Sequence, residues 1–170
     1  GSIHIAPPDV VPPPAVVREA FSRSSLLVTE VPITDDLDAT LEQALAPRMF
    51  LPAGRRLDRA ATPEQWATVE RWGREQGLPA EMLETMQPWA LELLATGGSA
   101  VPRGFSSENG LDTYFADKAA ARAMETRALE AVDDQIEVLA GGTLREQLAS
   151  LMATITRTDP LTDTLELYHA

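Results

Sequence analysis

Cysteine is absent from the 170-residue chain, which excludes a disulfide scaffold, a thiolate metal site and a cysteine nucleophile. Positive charge is scarce: 14 Lys and Arg stand against 26 Asp and Glu, a net charge of −12 with both histidines neutral. Phosphate backbones and anionic membrane surfaces are held by clustered Lys and Arg, so this balance argues against nucleic acid and against an anionic bilayer surface. A cationic peptide or a metal ion remains compatible. No apolar run approaches the ~20 residues that span a bilayer. No basic-then-apolar leader is present either, and any leader would lie before residue 1. No serine sits in a G-x-S-x-G context, and no glycine loop is built to cradle phosphate. The two histidines, His4 and His169, are too far apart for an H-E-x-x-H pattern, and His169, with no acidic or His partner one turn onward, reads as a surface residue.

What is present suits a core. At 44% hydrophobic content the chain has the apolar material for one domain over residues 1–170. At this length roughly two-thirds of the unfolded surface is buried on folding, so stability requires no metal or disulfide. Pro7-Pro8 and Pro12-Pro13-Pro14 read as a stiff lead into a helix, with Pro14 in its first turn. Ser25 to Val31, closed by Pro32, is an uninterrupted apolar run of the kind buried on both faces of a sheet. Residues 126–130 are a second strand, and Ser2 to Ile5 the end of a third.

Most of the remainder is helical. Leu37, Leu41 and Leu45 follow Asp35 and Asp36, either of which can cap a helix. Thr62-Pro63-Glu64-Gln65 is a capping box with proline in the first turn, and Gly77 is the stop. A helix over 82–94 is bent at Pro88 and ends at Gly97-Gly98, before a small-residue loop to Asn109. Asp112 caps a helix with Tyr114 and Phe115. Helices over 132–140 and from Thr143 follow, divided by Gly141-Gly142, and Pro160 opens a last one. Trp66, Trp72, Met82 and Met86 sit at helical spacing and are expected to pack helix on helix. Strand, helix, strand and then many helices define a helix-rich α/β fold with a small, mostly parallel sheet.

The chemistry is sought where the strands end. His4 closes the first strand, Glu30 the second and Glu130 the third. In an open parallel sheet the crevice outside the carboxyl ends is the ligand site. Singly, each residue has an ordinary explanation: an exposed histidine, a turn cap, a first-turn carboxylate favoured by a helix dipole. Together, one imidazole and two carboxylates at one rim can hold a divalent ion or divide acid and base roles in a hydrolysis.

Several segments resemble, in order, the TraB/GumN family, a group that also includes the TIKI and PrgY proteins. Gly1-Ser2-Ile3-His4 resembles its first G-x-x-H motif, and Leu26 to Pro32 its strand with the characteristic glutamate. Leu51-Pro52-Ala53-Gly54 with Leu57 resembles its L-P-x-G-x-x-L segment, and Gln87-Pro88-Trp89 its P-W helix. Gly110-Leu111-Asp112 resembles its G-x-D helix start, and Leu129-Glu130 with Asp134-Gln135 its L-E turn. The resemblance implies a core like that of erythromycin-esterase-like and ChaN-like proteins. It implies that this chain is the N-terminal part of the family domain, with the first strand and a second G-x-x-H outside it. It also implies a metal-dependent hydrolase of the bacterial cell envelope or periplasm, acting on a peptide or small-molecule substrate with Mn, Co or Zn. His4 and Glu30 would then be metal ligands, and Glu30 and Glu130 catalytic carboxylates. The alternative is a non-catalytic protein that sequesters a peptide or a haem-like ligand.

Overall fold

The computed structural model describes residues 3–34, 36–100 and 104–157. The expected last helix from Pro160, along with His169, Gly1, Ser2 and Asp35, lies outside them. The chain divides into two compact units: Gly1–Leu41 with Ala100–Gln135, and Glu42–Ser99 with Ile136–Ala170. Among the described residues no helix is long and apolar enough to cross a membrane.

The first unit is built on two strands, β1 (Leu26–Thr29) and β2 (Glu125–Ala128). They pair in parallel, Leu26 opposite Glu125 through Thr29 opposite Ala128. The fold is thus helix-rich α/β with a small parallel sheet. Parallel pairing demands a long crossover, and the second unit's residues 42–99 are contained within it. The sheet is less covered than the apolar run implies: Val28 is 47% exposed and β2 is exposed throughout. Helix α1 (Ala15–Ser22) has Pro14 as its N-cap rather than in its first turn. Helix α2 (Leu37–Leu45) starts directly after Asp36.

Helix α7 (Leu111–Ala120) packs against β1 and places Ala119 in the interior with Ala6 and Phe105. It ends in a Schellman turn: Met124 N–H donates to Ala119 O (2.9 Å) and Ala123 N–H to Ala120 O (3.0 Å). Ala123 occupies the left-handed position, φ +48°, where glycine is usual. Ala123→Gly relieves that strain but gives the unfolded chain more freedom. The net gain should be about 0.5–1 kcal/mol, visible as a higher denaturation midpoint.

The second unit holds the larger core. Helices α3 (Leu57–Ala60), α4 (Pro63–Glu75), α5 (Ala80–Thr85), α6 (Pro88–Ala100) and α9 (Leu144–Thr156) contribute to it, and α8 (Val132–Leu139) leads into this part of the chain. Leu57, Val69, Leu83, Leu91 and Leu151 are fully or almost fully buried there. Met86 is buried, while Trp66, Trp72 and Met82 pack against the same cluster, as their spacing predicts. Both capping boxes form, Thr62 with Gln65 and Thr143 with Glu146. Gly77 (φ +72°) closes α4. Gly73 has a different role, since a Cβ there would run into the Leu83 side chain.

One helix becomes two. The stretch predicted as a single bent helix is interrupted at Met86 and Gln87, and Pro88 begins α6 instead of bending it. The cause is non-local. Leu51 N–H donates to Thr85 O (2.7 Å) and Gln87 N–H to Met49 O (2.8 Å), so Phe50 and Met86 form an antiparallel bridge. That bridge uses backbone groups a continuous helix would need. Gly97 and Gly98 do not stop the second helix, which continues to Ala100.

The Glu146 carboxylate accepts from the backbone N–H of Thr143 (2.7 Å) and from its hydroxyl (2.8 Å). Those bonds, the backbone one foremost, hold its carboxyl below the ordinary value. A group depressed in the folded state stabilises fully above its unfolded pKa, and the benefit is lost as pH falls through the folded value. Glu146→Gln should therefore lose less stability than the parent between neutral and acid pH, as read by denaturation at several pH values.

Candidate functional site

Three side chains of the first unit meet at the carboxyl end of β1. His4 arrives there by a route the sequence does not predict. Residues 3–5 are not a strand; instead the N-terminal segment is strapped against the residues leading into α7. Ala6 and Ser106 exchange backbone bonds of 3.1 and 3.0 Å as an antiparallel bridge, and Leu111 N–H donates to Ile3 O (2.9 Å). The strap passes so close to Gly110 that a Cβ there would lie 2.5 Å from the His4 carbonyl oxygen. Gly110 has an ordinary φ of −64°, so its requirement is space rather than backbone freedom.

The strap sets His4 over the first turn of α7. Its Nδ1 lies 2.8 Å from Asp112 Oδ2, and its Nε2 lies 3.5 Å from Glu30 Oε2. Asp112 is not the cap of α7: Gly110 holds that position, and Asp112 is the second helical residue, placed where the helix dipole favours a carboxylate. Both approaches are ion-pair distances between an imidazole nitrogen and a carboxylate oxygen. A protonated imidazole would pair with Glu30 at this separation, and a cation shared by the two groups would also fit it. Tetrahedral bonds of about 2.1 Å would set the two donors about 3.4 Å apart, so the pair fits a divalent ion. Asp112 lies on the Nδ1 side of the ring, opposite Glu30.

Exposure grades the three. The His4 side chain is 62% exposed, Glu30 35% and Asp112 19%, so the pair opens to solvent while its support is covered. Among the described residues no group of three or more His, Asp or Glu is arranged to hold a metal ion. His4 and Glu30 therefore offer two protein donors.

Glu130 stands beside Glu30 on the adjoining strand end, its N–H donating to Glu30 O (2.9 Å). The side-by-side parallel placement expected of these two glutamates is thus present. Its carboxylate turns instead to Gln135, whose amide donates to it. Asp112 is the residue the sequence reading misses as a site residue, because an acid early in a helix is read locally as a cap. The signal for it is the glycine two positions earlier, which leaves room for another segment to pass.

A family model described as TraB/PrgY/gumN family matches residues 1–170. No curated protein and no solved structure matches the chain.

Proposed function

The chain belongs to the TraB/PrgY/gumN family, and from that premise we propose that it is a hydrolase of peptide-like substrates that works with a divalent metal ion, Mn, Co or Zn, in the bacterial cell envelope. The observation carrying this reading is the two-sided grip on His4, with Asp112 at 2.8 Å on Nδ1 and Glu30 at 3.5 Å on Nε2.

In this reading His4 Nε2 and Glu30 hold the ion. When bound, the ion supplies Lewis acidity, polarising a carbonyl and bringing the pKa of water toward neutrality. The other roles belong to the protein. Asp112 keeps the hydrogen on Nδ1 and the lone pair on Nε2, so the imidazole needs no rearrangement before binding. Glu130, on the adjoining strand end, would turn from Gln135 to serve as the proton acceptor for the attacking water. The exposure of His4 suits a long, flexible substrate laid across the strand ends.

The test titrates the full-length protein, and its His4→Ala and Glu30→Ala variants, with Mn, Co and Zn by calorimetry, and follows cleavage of a peptide mixture by mass spectrometry. Metal affinity should fall at least tenfold in each variant, with loss of cleavage. Equal affinity in all three proteins would overturn the ligand assignment. A peptide mixture left intact by the metal-loaded parent would overturn hydrolysis and favour sequestration.

A further inference from the structure

Cations are scarce in this chain, yet three gather around one hollow without a carboxylate among them. Helices α1 and α7 meet through aromatic rings: Phe21 and Phe115 lie with centroids 4.8 Å apart, tilted by 44°, and Tyr114 stands edge-on to Phe115 at 5.2 Å. Beside the rings is a shallow pocket of about 220 Å³, with Arg18, Lys118 and Arg122 in its lining.

Each cation is held differently. The Arg122 guanidinium covers the Phe21 ring at 5.3 Å and donates to the carbonyls of Phe21 (3.3 Å) and Ser22 (3.1 Å), which locks it to the last turn of α1. The Lys118 ammonium lies 5.5 Å from the Tyr114 centroid. Arg18 is exposed, and among the described residues none of the three forms a salt bridge. The net charge of −12 repels anions at a distance, but the Debye length of about 8 Å at physiological salt limits an anion in the pocket largely to its immediate neighbours.

The lining also selects the body of the ligand. Ring faces repel an anion, but here Arg122 and Lys118 cover faces of Phe21 and Tyr114, so positive charge meets the acid group and the aromatic surface is left for an apolar part. Arg18 brings a planar fork suited to a carboxylate. We propose that this pocket binds an organic carboxylate whose acid group meets Arg18 and Lys118 and whose apolar body, about the size of one phenyl ring, lies on the Phe21–Phe115 pair. The acid is either a free small molecule or the C-terminal carboxylate of a peptide ending in an apolar residue. The proposal stands whether or not the chain hydrolyses anything.

The test uses the whole chain and follows the ring signals of Tyr114 and Phe115 by NMR during titration with 3-phenylpropionate, its neutral amide, a short peptide ending in a Phe carboxylate, and the same peptide amidated. The free acid should move those signals with a Kd of about 1 mM, as expected for so small a ligand. The amides should bind at least fivefold more weakly, and binding should weaken with added salt. Arg18→Ala and Lys118→Ala, both exposed positions, should each weaken binding about two- to fivefold and together about tenfold. Binding by the free acid alone assigns a small molecule, and equal binding by the peptide acid assigns a C-terminus. Amides that bind as tightly as acids, or an affinity unchanged in the double variant, would overturn the proposal. Absence of any shift up to tens of millimolar would do the same.

Discussion

Gly110→Ala should cost the first unit about 3 kcal/mol and lift His4 away from its two carboxylates. The new Cβ would lie 2.5 Å from the His4 carbonyl oxygen and 3.0 Å from that of Ser107, both backbone atoms. Neither can rotate aside as a side-chain end would. The Ser107 carbonyl already accepts from Gly110 N–H (3.0 Å), and the strap is held by Leu111 N–H on Ile3 O and by the Ala6–Ser106 pair. Relief therefore requires the strap to retreat and lose bonds worth about 1 kcal/mol each, on top of ~1–3 kcal/mol for the overpacked contact. Alanine's smaller unfolded-state entropy returns about 0.4–1 kcal/mol, too little to reverse the sign. Denaturant titration measures the loss, and the NMR signals of the His4 ring report the detachment. A variant of parental stability with unmoved His4 signals would show that the strap does not depend on the bare glycine.

Interactions confined to one turn of chain are those the sequence reveals. Thr62 with Gln65, Thr143 with Glu146, and Gly77 after α4 satisfy backbone groups within three or four residues, so their spacing alone predicts them. The apolar run at Leu26–Thr29 is also visible, and the parallel strand ends place Glu30 beside Glu130, as their positions along two neighbouring parallel strands require. The failures share a cause. Helix α6 starts afresh at Pro88 because Met49 and Leu51 pair with Thr85 and Gln87, more than thirty residues on. Ile3 to Ile5 form a strap rather than a strand because their neighbours are the residues leading into α7, through Leu111 N–H on Ile3 O and the Ala6–Ser106 pair, and no sheet edge. Asp112 is taken for a cap because nothing within its own helix shows that an imidazole lies above it. The pocket between α1 and α7 is invisible for the same reason: Arg18 and Lys118 are ordinary surface cations until the two helices are placed together.

Under the proposed metal-dependent hydrolysis, Asp112→Asn should lower turnover about 10- to 100-fold with little change in KM, the size of effect expected when the outer partner of a metal-bound histidine is removed. The bond at stake is the 2.8 Å contact from His4 Nδ1. In the proposed site aspartate would only accept there and so favour an outward Nε2 lone pair; asparagine can also donate, so the opposite tautomer becomes available. In that tautomer Nε2–H points at Glu30, 3.5 Å away, and the two groups that should hold a metal bond to each other instead. Stability should change by only about 1 kcal/mol or less, because the pair is partly exposed and screened. That contrast separates positioning from folding. The nitrogen-15 shifts of the His4 ring should report a gain of Nε2–H in the variant, and zinc affinity should fall in parallel with turnover. Asp112→Glu, which preserves an acceptor-only group, should recover part of both. An Asn variant with the parental tautomer and parental zinc affinity would show that Asp112 does no more than support the first turn of α7.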